Sequence, residues 1–311
     1  MAAMTATDAA TPARKSENEA LDALIERFHA GKRLRVWSLV ITAFGDAIIP
    51  RGGMLGMAAL QELTDRIGVT PGALRAAVSR LAKDGWVERH RHGRKSYYSL
   101  SPASAATSIE AGKRFYAPGP PEWDGTWTVA LAPEESAPDR ESRNAALNGI
   151  GFIRLGNGAY VRPSEMKGKD IRGLTGMFVL QARADTIPVW VLRLGSDPDI
   201  ALAYEAIIAA FAPLDAALAS GETLSPLDAF VARTLLIHDW RRVVLRDIEL
   251  PEELRPQDWP SELARNLVKR LYARLLAPSE RWLDTCDGRP DKPLPKADAS
   301  LHERFTSALK T

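Results

Sequence analysis

The sequence predicts a multidomain α+β protein that begins with a winged helix-turn-helix, continues with a small α+β sandwich and ends in an α-helical domain. Three observations support this. Helix signals followed by an alternating hairpin occupy the first 100 residues, a β-α-β-β pattern follows, and the last third is helical by its apolar periodicity. The order of helices and then a hairpin is typical of a winged helix.

Composition limits the class of protein. With 311 residues and 45% hydrophobic content, the chain can form two or three domains. The single cysteine, Cys286, excludes an internal disulfide, and the five histidines show no metal-binding spacing. Residues 1–30 lack the apolar segment of a signal peptide and are predicted to be a disordered leader on a cytoplasmic protein. The longest apolar runs predict no membrane span.

Charge is unevenly distributed along the chain. Residues 31–100 carry 12 Lys or Arg and 5 Asp or Glu, whereas the whole chain has a net charge of only +2. The first 100 residues are therefore basic and the remainder is acidic. This segregation indicates that the basic region contacts a polyanion.

The segment "GVTPGALRAAVSRLAKDG" carries clear helix signals. Thr70 is the predicted N-cap, Pro71 the first helical residue and Gly85 the end of the helix. One face is apolar, with Leu74, Ala77, Val78 and Leu81. The opposite face combines small residues with long cations, which suits a helix lying in a DNA groove.

The hairpin "WVERHRHGRKSYYSL" is predicted to turn at His92 and Gly93 and to place its cations on the phosphate backbone. Arg75 and Ser79 are candidates for reading bases, whereas Arg80, Arg94 and Lys95 are candidates for phosphate contacts. Trp37 and Trp86 are predicted core residues. The predicted DNA-binding residues are Thr70, Gly72, Arg75, Ala76, Ser79, Arg80, Lys83, Arg91, Arg94 and Lys95. An interaction module with incidental surface arginines is the alternative.

The middle of the chain follows a proline-rich boundary that ends at Glu122. "GTWTVALAP" is a predicted strand, a helix begins near Asp139, and "GFIRLGNGAYVRP" is a hairpin turning at Gly156–Gly158. "GMFVLQAR" and "PVWVLRLG" are predicted to add further strands. The predicted boundaries are a leader at 1–30, a winged helix at 31–101, a linker at 102–121, a middle domain at 122–198, a helical domain at 199–285 and a tail at 286–311.

Several motifs together resemble one family. The strings "LRAAVSRLAKDGWVERHRHGRKSYYSLS", "WDGTWTVALAP", "LLIHDWRR" and "QDWPSELARNLVKRLYARLLAPSERWL" are similar to those of the PaaX family, repressors of phenylacetic acid degradation operons. The resemblance runs from about Arg33 to Leu283. It implies a ferredoxin-like middle domain, a homodimer and phenylacetyl-coenzyme A as the inducer.

An acyl-coenzyme A effector requires cations and apolar rings. His238, Trp240, Arg241 and Arg242 offer these residue types and are candidate effector-binding residues. The alternative is a helix end in which the arginines meet the C-terminal dipole and His238 lies in the core. Arg154, Arg162 and Lys167 are equally plausible phosphate partners.

Together these features predict a cytoplasmic, homodimeric transcriptional repressor that binds a double-stranded operator and is released by an acyl-coenzyme A, with no cofactor, no metal and no membrane partner. One alternative is a PaaX-like regulator that responds to a different acyl-coenzyme A or an aromatic acid. Another is a metal-dependent nuclease that uses the ferredoxin-like domain. Such a nuclease is expected to hold its metal with an acidic residue at the end of the first strand of that domain. Here the strand ends without an aspartate, and Glu134 lies beyond Pro133.

Overall fold

The computed structural model describes residues 18–30, 35–134, 136–164, 174–248 and 250–306, in a mixed helical and sheet fold with a helical C-terminal region. The helices are α1 Glu19–Ala30, α2 Val36–Ala43, α3 Met57–Arg66, α4 Pro71–Lys83, α5 Pro102–Phe115, α6 Ala137–Gly149, α7 Val189–Leu194, α8 Pro198–Ala219, α9 Pro226–Val244 and α10 Ser261–Leu283. The strands are β1 Met54–Gly56, β2 Val87–His92, β3 Lys95–Leu100, β4 Thr126–Leu131, β5 Ile153–Gly156, β6 Ala159–Pro163 and β7 Phe178–Arg183.

The chain divides into two compact units. Unit 1 combines the described residues up to Ala117 with Ile207–Arg242 and those from Asn266 onward, whereas unit 2 combines Pro118–Ala206 with Val243–Arg265. The boundaries differ from the predicted succession of domains. Helix α5 fills most of the predicted linker at 102–121, and residues of α8, α9 and α10, predicted as one domain, are divided between the units. The reason is that segments distant in sequence share one core.

The predicted disordered leader at 1–30 is wrong for its last part, because Glu19–Ala30 forms helix α1. Leu21, Leu24 and Ile25 are buried, at the spacing of one helix face. Asp22 of this helix also pairs with Arg66 of α3 at 2.8 Å. Residues 1–17 lie outside the described residues.

The first part of unit 1 is a three-stranded antiparallel sheet in the order β1-β3-β2, together with helices α2, α3 and α4. In this part Leu39, Leu60, Leu74 and Tyr97 are fully buried. The two predicted core tryptophans differ from expectation. Trp37 is half-buried and Trp86, which follows the turn after α4, is 38% exposed.

A cluster of buried charges forms another part of the unit 1 core. Asp46 pairs with Arg233 at 2.7 Å and with Arg304 at 2.8 Å, and it accepts hydrogen bonds from the hydroxyls of Tyr116 and Tyr272. Burial alone would raise the pKa of Asp46, but the two guanidinium groups lower it below its usual value. Arg304 is in the predicted tail at 286–311, and Leu294, Leu301 and Phe305 of that tail are buried, so its described part belongs to the core.

Unit 2 contains a four-stranded antiparallel sheet in the order β5-β6-β4-β7. Leu147 of α6 packs with Ala130 and Tyr160 on one face of this sheet, and Trp127 and Val161 belong to the cluster on the other face. The predicted strand "PVWVLRLG" is instead helix α7, which begins after Pro188 and ends before Gly195. Its apolar residues pack against the cluster that contains Trp127 and Val161. Apolar content alone therefore led to the wrong prediction of a strand for this segment.

The sequence predicts no membrane span, but helix α8 is long and apolar enough to cross a membrane. It is the one described helix for which this holds, by length and composition only. Core helices pass the same test. Its Asp215 pairs with Arg270 of α10 at 3.2 Å and with Arg274 at 3.5 Å. Ile207, Phe211 and Leu214 are buried whereas Leu202 is 61% exposed, so α8 packs one face against the protein core.

Candidate nucleic-acid interface

Helix α4 is positioned as its sequence predicts. The Thr70 hydroxyl accepts a hydrogen bond from the backbone N–H of Ala73 at 3.2 Å, which caps the first turn. Leu74, Val78 and Leu81 are buried, and the helix packs against α2 and α3. The anchored apolar face therefore turns the opposite face of α4 toward solvent.

This outer face carries most of the predicted DNA-binding residues. The exposed positions are Gly72, Arg75, Ala76, Ser79, Arg80 and Lys83, and Thr70 is half-buried. Within the described part of the chain, no carboxylate lies within 4.0 Å of the charged groups of Arg75, Arg80 or Lys83. These three cations are therefore available to an external anion.

The hairpin of β2 and β3 extends the basic surface beyond α4. Its register pairs His92 with Lys95, so the two turn residues are Gly93 and Arg94, one position later than predicted. Gly93 has φ +59°, a conformation that glycine adopts without steric cost. Arg91, Arg94 and Lys95 are exposed. Only Lys95 of these three has a neighbouring carboxylate among the described residues, with Nζ 3.4 Å from Asp287.

A cleft of about 1270 Å³ brings part of this surface together. Arg75 and Ser79 of α4 line it with Arg94 and Lys95 of the hairpin. Other predicted DNA-binding residues lie outside its lining: Thr70, Gly72, Ala76, Arg80, Lys83 and Arg91. The two candidates for base reading therefore share a cleft with two candidates for phosphate contact.

The cleft also contains cations that the sequence analysis missed. Arg89 lies in β2 and donates to the Ser96 hydroxyl at 2.8 Å, and its position could have been inferred from the alternation of the hairpin. Arg289 and Lys292 line the cleft from the segment that follows α10. Their sequence, "CDGRPDKP", indicates a turn but gives no sign of its location.

The candidate effector residues occupy a different environment. His238 is buried with Nδ1 3.2 Å from the Thr42 hydroxyl, and the indole N–H of Trp240 donates to the Phe115 carbonyl at 2.6 Å. Arg241 donates to the hydroxyls of Thr42 and Ser38. Arg242 is exposed.

Burial, reinforced by the neighbouring charges of Arg241 and Arg242, lowers the pKa of His238 to about 3. A cavity beside Arg241 measures about 30 Å³, which is the space of one water molecule. The burial of His238 agrees with the alternative interpretation, but Arg241 donates to Thr42 and Ser38 of α2 rather than to carbonyls at the end of its own helix. His238 and Arg241 therefore connect α9 to α2, and Trp240 connects it to α5.

The alternative phosphate partners lie in unit 2. Arg162 is 4.9 Å from the Phe152 ring and donates to the Ile150 carbonyl, whereas Arg154 is exposed. Lys167 lies outside the described residues. Within the described ranges, no group of three or more His, Cys, Asp or Glu side chains is placed to hold a metal ion.

The chain is similar to several known proteins. The model of the PaaX-like protein family matches residues 35–104, and that of the PaaX-like protein C-terminal domain matches residues 197–285. The transcriptional repressor PaaX of Escherichia coli (strain K12) is 31% identical over 255 residues, which cover 76% of this chain and 79% of that protein. An uncharacterized protein, Rv0674, from Mycobacterium tuberculosis has a solved structure with 22% identity and a TM-score of 0.48, covering 72% of this chain and 89% of that one.

The chain is thus a regulator of transcription rather than an enzyme, and the predicted nuclease alternative is not supported. It belongs to the PaaX family of transcriptional repressors. The family models cover both the segment with the basic helix and hairpin and the segment with helices α8, α9 and α10.

Proposed function

We propose that the protein is a cytoplasmic homodimeric repressor that binds a double-stranded DNA operator through a winged helix formed by α2, α3, α4 and the β2–β3 hairpin. Helix α4 enters the major groove and the hairpin contacts the phosphate backbone. The main support is the basic outer face of α4, where Arg75, Arg80 and Lys83 have no carboxylate partner among the described residues. In a dimer, two such helices read half-sites about 34 Å apart.

The effector we propose is an aromatic acyl-coenzyme A, with phenylacetyl-coenzyme A as the first candidate and another acyl-coenzyme A or aromatic acid as the alternative. The antiparallel strand order of unit 2, β5-β6-β4-β7, supports the ferredoxin-like fold that we propose from the family resemblance. Release from DNA requires that the effector binds the DNA-incompetent state more tightly than the competent one.

An apolar cleft in unit 2 is a better candidate for the acyl group than the residues around His238. It measures about 220 Å³, and Trp127, Trp190 and Val191 line it, with Arg183 also in its wall. A cavity of about 150 Å³ lined by apolar groups is enough for a benzene ring. The indole N–H of Trp127 is buried and finds no acceptor among the described residues.

The experiment that tests the proposal is fluorescence anisotropy of the protein on DNA from the promoter upstream of its own gene, at two salt concentrations and with and without phenylacetyl-coenzyme A. We expect tight binding that exceeds binding to random DNA and is released by the thioester. Specific binding that ignores the thioester would contradict the effector, and the absence of specific binding would contradict the DNA-binding function.

The same assay tests the apolar cleft. Trp190→Ala should weaken the response to the thioester at least tenfold and leave operator binding unchanged, because Trp190 is 53% exposed and lines the cleft. Val189→Ala is the matched control, since Val189 is an exposed neighbour outside the cleft lining. An equal response of both variants would place the acyl group elsewhere.

A further inference from the structure

The segment that follows helix α10 is held firmly against the β1–β3–β2 sheet of unit 1. The backbone N–H of Gly56 donates to the carbonyl oxygen of Asp287 at 2.9 Å, and the Tyr97 hydroxyl donates to the Asp287 carboxylate at 3.2 Å. A Cβ at residue 56 would lie 2.3 Å from the Asp287 carbonyl oxygen. This approach is therefore possible only because residue 56 is glycine.

Residues 287–294, which we term the C-terminal turn, have a defined conformation. Arg289 and Lys292 form an isolated antiparallel bridge, and Asp291 between them has φ +56°. A Cβ at Gly288 would lie 2.3 Å from Cγ of Leu294, whose side chain is buried. The turn is thus anchored at both ends, and its middle residues project from a fixed base.

The charges of the turn face the same cleft as those of α4 and the hairpin. Arg289 and Lys292 line it with Arg75 and Arg94. No carboxylate within the described ranges lies within ion-pair distance of these four side chains. Three carboxylates also line the cleft, and each has a partner. Asp287 is engaged by Lys95 and Tyr97, Asp291 lies 3.5 Å from Nδ1 of His92, and Glu62 accepts a hydrogen bond from the indole N–H of Trp282.

A cleft with unpaired cations on three separate elements suits an extended anion better than a single phosphate ion. At about 1270 Å³ it is far larger than one phosphate group requires, and a nucleic-acid strand presents phosphates at regular intervals along its length. Arginine and lysine are the residues that most commonly contact DNA phosphates.

We propose that the C-terminal turn is a third DNA-contacting element, in which Arg289 and Lys292 bind backbone phosphates of the operator beside the hairpin. This inference rests on the proposed function, since it assumes that α4 and the hairpin bind DNA. The C-terminal turn would thus add phosphate contacts to those made by α4 and the hairpin.

The test compares two double variants that remove the same charge. Arg289→Ala/Lys292→Ala removes the two cations of the turn. Lys113→Ala/Lys296→Ala removes two exposed cations outside the cleft lining, which pair with Glu110 and Asp284. Anisotropy on operator and on random DNA is measured between about 50 and 200 mM salt, and thermal unfolding checks that both variants fold.

We expect the turn variant to lose affinity for both DNAs and to lower the slope of log K against log salt by about 2, whereas the control variant keeps the wild-type slope. Over this salt range the affinity of the turn variant should fall roughly tenfold less than that of the wild type. Equal slopes for the two variants, or tighter binding by the turn variant, would overturn the inference while leaving the proposed function intact. Failure of the wild type to bind DNA would instead overturn the proposed function.

Discussion

Unit 1 holds arginines both in its core and around its cleft, and the two sets differ in what surrounds the guanidinium group. Arg233 is fully buried and pairs with Asp46 and Glu280 at 2.7 Å. Arg75 and Arg94 are exposed, with no carboxylate within 4.0 Å among the described residues. The core arginines thus have their anions within the protein, and the cleft arginines require one from outside. The presence of an internal carboxylate therefore distinguishes arginines that stabilise the fold from arginines that can bind an external anion. The residue type alone does not make this distinction.

The largest expected effect is on the core. Asp46→Ala leaves Arg233 and Arg304 buried beside an empty space, so the free energy of unfolding should fall by about 3 to 5 kcal/mol. Urea unfolding measures it, with Arg94→Ala as a control that should stay within about 0.5 kcal/mol of wild type. A loss below about 1 kcal/mol in Asp46→Ala would mean that the buried ion pairs of Asp46 contribute no more to stability than exposed ion pairs do.

The second prediction concerns pH. His238 remains neutral in the folded protein down to about pH 3, whereas in the unfolded chain it binds a proton below about pH 6.5. Unfolding therefore takes up a proton in this window, and stability should fall as pH falls, by up to about 1.4 kcal/mol per pH unit. Urea unfolding at pH 7, 6 and 5 should show a shallower dependence in His238→Gln. Identical slopes would show that His238 is not held neutral in the folded state.

The third prediction concerns base reading in the cleft. Arg75→Ala should weaken operator binding by about 1 to 3 kcal/mol and relax the preference at one base pair, with a smaller effect on random DNA. Anisotropy on the operator and on single-base variants measures it. Equal losses on operator and random DNA would assign Arg75 to a phosphate instead.

A smaller effect is expected at the tip of the hairpin. Arg94→Ala should weaken binding to all sequences alike and lower the salt slope by about 1, because a phosphate contact carries no sequence information. A change in base preference would show that Arg94 reaches a base edge.

The smallest effect is expected at Lys95. Its Nζ is 3.4 Å from the Asp287 carboxylate, so Lys95→Ala should lower the salt slope by less than half as much as Arg94→Ala does. The same salt titration compares the two variants. Equal slopes would indicate that Lys95 leaves Asp287 when DNA binds.

Local sequence signals predicted the local parts of this structure. The Thr70 cap, the helix that follows it and the existence of the hairpin depend on neighbouring residues, so the sequence contained them, although the hairpin turn lies one position later than predicted. Helix α1 had the apolar spacing of Leu21, Leu24 and Ile25, but the polar composition of its surroundings hid it.

Contacts between distant residues could not be predicted. Nothing near Asp46 indicates that its partners are Arg233 and Arg304, and nothing near Asp287 indicates Gly56. The same limit explains why the residues around His238 suggested an effector pocket from the sequence. His238, Trp240 and Arg241 have the residue types of a binding pocket, and only the fold shows that their polar groups are directed at Thr42, Phe115 and Ser38.

The pairing of Gly56 with Asp287 and of Asp46 with Arg304 has a consequence for synthesis of the protein. Residues 46–100 leave the ribosome long before the partners that complete their core, because synthesis runs from the N-terminus to the C-terminus. Domains generally fold as units, so this core is completed only when the later segments are present. A nascent or prematurely terminated chain would bury Asp46 without Arg304 and would lack the C-terminal turn. Chains that end before Arg304 should therefore be less stable than chains translated through it, because Asp46 keeps only Arg233 as a cationic partner.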